Sequence, residues 1–259
     1  MKRKTIYYRD ELNDEFSGVS RNTKVIDDKY KYLPKCWLWK ACRFVVYRLV
    51  MTPFAHIYMK LKFGHKVIGK KSIKESRGKG IYVYGNHTLM AGDAFIPNIV
   101  CMPRDVYMLV HPDNISLPIL GECVKMCGAL PLPSTAGATR GFMSAIDTVI
   151  SKGKVVQVYP EAHIWPYYTK IRPFKSVAFK YPVKSGAPVY AITNTYHKKK
   201  IGKTPKVITY VDGPFFADMT LPLKERQETL RDKVYEIMCS RAKTSTYEAI
   251  EYVKEENND

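Results

Sequence analysis

The chain has 259 residues, enough to bury one large core, and α/β folds of this size are routinely a single domain. Lysine and arginine outnumber aspartate and glutamate by 42 to 24, a net charge of +18, while a hydrophobic fraction of 46% excludes an intrinsically disordered chain. The charge asks for an anionic partner. No zinc spacing, glycine-rich nucleotide loop or RNA-binding aromatic signature accompanies it, so nucleic acid is not expected; an anionic membrane surface is, at about 1 kcal/mol for each nearby basic residue.

Residues 1–30 are polar, mixed in charge and poor in large aliphatics, which reads as a flexible leader. The segment MKRKTIYYRDELNDEF lacks the apolar core of a secretory signal, and the six cysteines contain no C-x-x-C pair, so a reduced cytosolic setting is expected. Residues 31–63 differ sharply. CWLWKACRFVVYRLVMTPFAHIYMKLKF is rich in aromatics and aliphatics, with Lys40, Arg43 and Arg48 on one predicted helical face. Its longest uncharged run, 49–59, is well short of the roughly 20 residues a helix needs to cross a bilayer, and it contains Pro53. An amphipathic helix lying in the membrane interface fits, with aromatics sunk among headgroups, lysines snorkelling and the three cations facing anionic lipid; a core helix packed on the domain is the other reading. A peripheral protein on the cytoplasmic face of the cell membrane follows from the first.

From residue 64 to 259 the pattern is that of one domain. Predicted strands are 81–85, 105–110, 128–133, 154–160, 187–196 and 206–213. Helical periods fall between several of them, as in Phe142, Ile146, Val149 and Ile150, and again in Leu230, Val234, Ile237 and Met238. Strands alternating with helices imply an α/β fold with a largely parallel sheet covered on both faces, whose ligands sit at the carboxyl ends of the strands. Cys123 and Cys127 share a predicted helix and read as small buried residues rather than metal ligands. No metal or redox cofactor is implied. The HKKK run at 197–200 reads as a solvated turn.

His87 and Glu161 each follow a predicted strand and can open into one cleft. In NHTLMAGD, at 86–93, Asp93 can cap the next helix or turn back to the His87 imidazole. A carboxylate on one ring nitrogen fixes the tautomer and leaves the other nitrogen to take a proton, as a general base requires. No G-x-S-x-G segment is present and no cysteine adjoins a histidine, so attack by a substrate hydroxyl is more economical than a covalent intermediate.

Four ordered blocks, NHTLMAGD, GALPLPS, YPEAHIWP with FKSVAF, and APVYAIT, resemble the signature of the lysophosphatidic acid acyltransferase family of glycerolipid acyltransferases. The likeness runs from about Val67 to Ser240. It implies an acyltransferase-like α/β fold in which His87 deprotonates an acceptor hydroxyl that attacks an activated acyl chain, on acyl-CoA, acyl carrier protein or acyl phosphate, while Asp93 orients His87. Backbone N–H groups around Gly92 and Asp93 would stabilise the oxyanion, and basic side chains would hold the phosphate of a lysophospholipid-type acceptor.

Three departures bear on this. Five residues separate His87 from Asp93 where the family has four, and Gly92 is expected to absorb the extra one in an unusual turn. The family's arginine in the second block is absent at Leu132, Pro133 and Ser134, leaving Arg140 as the nearest substitute. Gly-Thr-Arg of the third block becomes Ala162, His163 and Ile164, so Lys170, Arg172 and Lys175 are the compensating cations. Glu161 is expected to bind an acceptor hydroxyl rather than close a buried ion pair. His163 can contact an acceptor headgroup or pack on Trp165. The altered blocks leave open an amine- or sugar-bearing lipid acceptor, and the longer spacing an inactive lipid-binding protein.

Overall fold

The structure, a computed structural model, describes residues 4–16, 23–117, 120–202 and 204–255. Its elements in chain order are β1 (Lys4–Tyr8), α1 (Trp37–Phe44), α2 (Thr52–Phe63), β2 (Lys66–Ile68), β3 (Ile81–Gly85), α3 (Met90–Cys101), β4 (Val106–Val110), α4 (Leu120–Met126), β5 (Ala129–Pro131), α5 (Ala136–Ser151), β6 (Val155–Val158), α6 (Lys180–Ser185), β7 (Val189–His197), β8 (Lys206–Phe215), α7 (Leu223–Ala242) and β9 (Ile250–Lys254).

Seven strands form one sheet in the order β2-β8-β7-β3-β6-β4-β5, parallel throughout except for the β7–β8 pair. Central β3 has no exposed residue, since β6 and β7 flank it and helices cover both faces; the unbroken IYVYG run is what such a strand requires. One face is sealed by α5, α6 and α7 through Phe142, Ile146, Val183, Leu230 and Val234, with Phe179 just before α6. The other is sealed by α2 and α3 through Ala55, Met59, Phe63, Ile96 and Val100. This is the expected α/β fold, a mostly parallel sheet flanked by helices. All six predicted strands form; GALPLP contributes only Ala129–Pro131.

Two parts of the chain differ from their sequence reading. The leader holds β1, which pairs in parallel with β9 as a separate two-stranded sheet. Phe16 and Tyr8 pack on Trp165 with ring centroids 5.2 and 4.7 Å away, and the Trp165 indole donates to the Asp14 carbonyl at 2.8 Å. The leader's polar composition conceals these contacts because its partners come from the far end of the chain. Residues 1–3 and 17–22 of it lie outside the described residues.

The second difference is the polarity of residues 36–63. The helix forms as α1, a π-helical stretch at Val45–Met51, and α2. The widened turn comes just before Pro53, which has no N–H to continue the preceding ladder. Arg43 and Arg48 do not face outward. Both pair with Asp105, Arg43 Nη1 at 3.1 Å, and Arg48 also donates to the Pro103 carbonyl at 2.6 Å. Burial alone would push the Asp105 carboxyl up, but a hydrogen bond from Lys154 and the charges of Arg43, Lys154 and Arg48 outweigh it and hold the group at about 2. Outward instead point Trp37, Leu38, Phe44, Leu49, Val50, Phe54, Ile57 and Leu61, each about half exposed or more. The amphipathic segment and its outward aromatics are as the sequence predicts; Arg43 and Arg48, expected to face lipid, turn inward instead because their acid, Asp105, lies far along the chain. Among the described residues no helix is long and apolar enough to cross a membrane.

Candidate active site

At the carboxyl end of β3 the chain turns through Asn86 and His87 into α3. His87 Nδ1 lies 2.8 Å from Asp93 Oδ2. A carboxylate only accepts, so Nδ1 carries the proton and Nε2 is left as the basic nitrogen. Asp93 is 2% exposed while the His87 side chain is a quarter exposed, so the acid is dry and the base is reachable. The same Oδ2 accepts the Leu89 N–H at 2.9 Å, and Asp93 N–H returns to the Leu89 carbonyl at 3.0 Å, a reciprocal cap at the start of α3.

The five-residue spacing therefore closes the pair, by a route other than the expected one. Gly92 is an ordinary helical residue; the extra residue is taken up at Met90, whose φ is 25°. Gly92 is needed for a different reason. A Cβ there would stand 2.3 Å from Leu89 Cδ2, so only hydrogen lets the Leu89 side chain fold over the turn.

Tyr159, at the end of β6, stacks on the imidazole with centroids 4.6 Å apart and planes at 18°. Its hydroxyl donates to the Asp93 carbonyl at 2.5 Å. At the end of β3, a Cβ on Gly85 would meet Tyr159 Cε1 at 2.9 Å, which is why a glycine closes that strand. Behind Asp93, Asn194 Nδ2 donates to Oδ1 at 3.3 Å, Thr209 Oγ1 donates to Asn194 Oδ1 at 2.7 Å, and His65 Nε2 lies 2.8 Å from Thr209 Oγ1. Since the Thr209 proton is spent on Asn194, His65 donates from Nε2. Sequence reasoning missed Tyr159, Asn194, Thr209 and His65. The TNT run inside β7, buried from Val189 to Tyr196, was the available signal, because buried polar groups demand partners.

Desolvation, with the charges of His56 and Lys60, pulls the buried His65 down from 6.5 to about 4. Folded His65 thus stays neutral in a range where the unfolded chain binds a proton. Its stabilising contribution is complete above about pH 6.5 and is lost progressively as pH falls towards 4, by about 3 kcal/mol. Urea denaturation across that window should show this slope in the wild type and a flatter one in His65→Gln, which keeps a donor to Thr209; equal slopes would contradict the assignment.

Glu161 and Arg172 do not line a substrate surface. Glu161 is 3% exposed and Arg172 1%. Glu161 Oε2 accepts the His87 N–H at 2.9 Å and Oε1 the Arg172 N–H at 3.1 Å, while the guanidinium donates to the carbonyls of Glu161, His163 and Glu11. The pair knits the segment after β6 to the turn after β3, together with Trp165 N–H to the His87 carbonyl at 3.1 Å and Tyr167 N–H to the Thr88 carbonyl at 2.7 Å. Burial pushes the Glu161 carboxyl up, opposed by Arg172 and the backbone N–H groups of His87 and Arg172. Ala162 has φ 64°, keeping the left-handed backbone where the resembling block carries glycine, at a cost of about 1 kcal/mol.

The other expected residues lie apart. His163 Nδ1 is 3.4 Å from Glu15 Oε2, facing the leader. Lys170 and Lys175 are exposed on the segment after β6, and Arg140 is exposed on α5, which follows edge strand β5, with β6 and β4 between that strand and β3. No hydrogen bond or ion pair among the described residues joins these three to His87. Asp93 N–H is spent on Leu89, so of the two expected oxyanion donors Gly92 remains, beside the N–H groups of Met90 and Ala91 in the same first turn of α3.

The arrangement can accept a proton at His87 Nε2 and hold the resulting imidazolium against Asp93. The fold is similar to the crystal structure of the 1-acyl-sn-glycerophosphate (LPA) acyltransferase PlsC from Thermotoga maritima, at 19% sequence identity and a TM-score of 0.51 over 80% of this chain and 84% of that one. No curated protein matches the chain. A family model described as acyltransferase matches residues 64–195, half of the chain, a span that holds His87, Asp93, Tyr159, Glu161 and Asn194. The chain belongs to the acyltransferase family.

Proposed function

We propose that this enzyme moves a fatty acyl group from a thioester donor to the hydroxyl of a lysophospholipid-type acceptor at a membrane surface, with His87 as general base and Asp93 as its orienting acid. The observation that carries this reading is the 2.8 Å bond from His87 Nδ1 to a buried Asp93, which leaves Nε2 basic and exposed. In the reaction, Nε2 takes the acceptor's hydroxyl proton as its oxygen attacks the carbonyl carbon. The new C–O bond gives a tetrahedral oxyanion, met by the N–H groups at the head of α3. Collapse breaks the C–S bond, and the departing thiolate takes the proton back from Nε2. Asp93 stabilises the imidazolium between the two transfers.

Of the cations expected from the sequence, Lys170 and Lys175 are exposed and free to meet the acceptor phosphate; Arg172 is not, since its guanidinium is buried on backbone carbonyls. The outward apolar residues of α1 and α2 favour insertion among lipid headgroups. Phe54 on α2 packs edge-on against Phe95, two residues after Asp93, at 5.7 Å, which would set the inserted face beside the dyad.

Mass spectrometry of products from a panel of acceptors, offered in vesicles with acyl-CoA or acyl carrier protein thioester, tests the reading. An ester of a lysophospholipid is the expected product. An amide or a sugar ester would move the acceptor to another class, an outcome the missing cation at Leu132 and Pro133 makes worth including. No product with any pair would sink the enzymatic reading. Replacing Leu49 and Val50 by glutamate should also abolish vesicle binding in the folded protein; unchanged binding would contradict the insertion face.

A further inference from the structure

A cleft of about 650 Å³ lies at the opposite end of the sheet from His87, between α1 with its π-helical extension and the C-terminal half of α5. Its floor comes from the beginnings of β4 and β5, at Tyr107 and Ala129, whereas His87 and Tyr159 follow the ends of β3 and β6. Proposed acyl transfer uses none of its residues.

Charge in the cleft is one-sided. Among the described residues seven cationic side chains line it, including Lys35, Lys40, Arg43, Lys125 and Lys152, and Asp105 is the one carboxylate. Asp105 is already shared by Arg43, Arg48 and Lys154. Glu122 offsets Lys125 at 2.5 Å from the rim. Among the described residues, the remaining cations have no acid to face within the cleft. Like charges held this close repel unless an anion joins them, and screening by water is reduced between aromatic walls.

Arg43 sharpens this. Its guanidinium lies over the Tyr107 ring at 4.9 Å and over Tyr47 at 5.0 Å, and Nη1 is used by Asp105. Nε and Nη2 are buried and have no hydrogen-bond partner. Both lie sealed beneath the surface of the cleft, so an anion in the cleft meets the charge of Arg43 rather than these two donors. Tyr30, Tyr32 and Trp39 add flat apolar wall for the body carrying it. Phe44 lines the cleft and is also one of the outward apolar residues, so the cleft opens beside the face assigned to lipid.

We infer that this cleft is a second ligand site, separate from the His87 site, that takes a phosphate ester. The phosphate sits among Arg43, Lys40 and Lys152, and its source is an anionic phospholipid headgroup or a soluble phosphate ester. The inference holds whether or not the acceptor proposed above is correct.

Calorimetric titration of the full chain with inorganic pyrophosphate tests it, beside Lys40→Glu, Lys152→Glu and His87→Ala. Neither lysine has a side-chain hydrogen bond or ion pair among the described residues, so the double variant removes charge without removing a fold contact. Saturable binding weakened by at least about tenfold in the lysine variant and retained in His87→Ala is the expected result. Should the double reversal unfold, Lys35→Ala with Lys125→Ala is read the same way. Vesicles of phosphatidylcholine with phosphatidate that displace pyrophosphate, when phosphatidylcholine alone does not, assign the headgroup; failure of both to displace it assigns the soluble ester. Equal pyrophosphate affinity in folded wild type and lysine variants, or binding lost only in His87→Ala, overturns the proposal.

Discussion

Asp93→Asn is expected to lower kcat for acyl transfer by about 10³-fold while the protein remains folded. Asp93 accepts from three N–H groups, those of His87 Nδ1, Leu89 and Asn194 Nδ2. An amide has one oxygen to offer. If that oxygen keeps His87 and Leu89, its NH2 group confronts the Asn194 NH2, which cannot turn because Thr209 donates to the other end. If the amide is reversed, its NH2 confronts Nδ1 and drives the imidazole proton to Nε2, the nitrogen that must be free. Either way the negative charge that stabilises the imidazolium is gone. Steady-state kinetics on the folded variant checks this; a loss of less than about tenfold would mean that Asp93 does not set the tautomer.

The largest expected effect on stability belongs to Glu161→Ala, at about 3–5 kcal/mol. The change leaves the Arg172 guanidinium, 1% exposed, without a counter-charge, and strips acceptors from the N–H groups of His87 and Arg172. Coulomb attraction over the 3.7 Å between Arg172 Nη2 and Glu161 Oε2 is one part of the cost; the stranded donors are the other. Glu161→Leu combined with Arg172→Met should cost less than the sum of the single changes, since the second removes the charge the first exposed. Urea denaturation of the four proteins measures the coupling. Strict additivity would show that the two side chains act independently. Activity should fall with Glu161→Ala as well, because the turn that presents His87 is tied down through its own N–H.

The sheet and the dyad were legible in the sequence because both are local. Strand runs such as IYVYG state their burial in composition, and His87 and Asp93 lie within one turn and one helix start of each other. What was misread depends on distant partners. Glu161 and Arg172 carry the residue types of a substrate rim, and only the return of the segment after β6 onto the His87 turn makes them a brace. Arg43 and Arg48 form a helical face that suits lipid as well as protein, and Asp105, beyond the next helices, decides between them. Gly92 was given the turn that Met90 makes, because glycine is the usual residue in such a conformation and a methionine there is not foreseeable. The leader's order is not legible in its composition because β1 is stabilised by β9 and by Trp165, not by its own apolar content.

The leader's contacts also change what a truncation can show. Removing residues 1–63 would take away β1, the Glu11 carbonyl on Arg172 and the rings packed on Trp165 together with the apolar face, so point changes at Leu49 and Val50 are the cleaner probe of membrane binding.

The most direct measurement of the central claim is transfer of an isotopically labelled acyl chain from acyl-CoA to a lysophospholipid in vesicles, by the purified full chain and by His87→Ala side by side, at matched melting temperatures. Labelled ester formed by the wild type and reduced by about 10³-fold or more in His87→Ala is the expected result. Ester formed equally fast by both proteins would contradict proton abstraction by this imidazole.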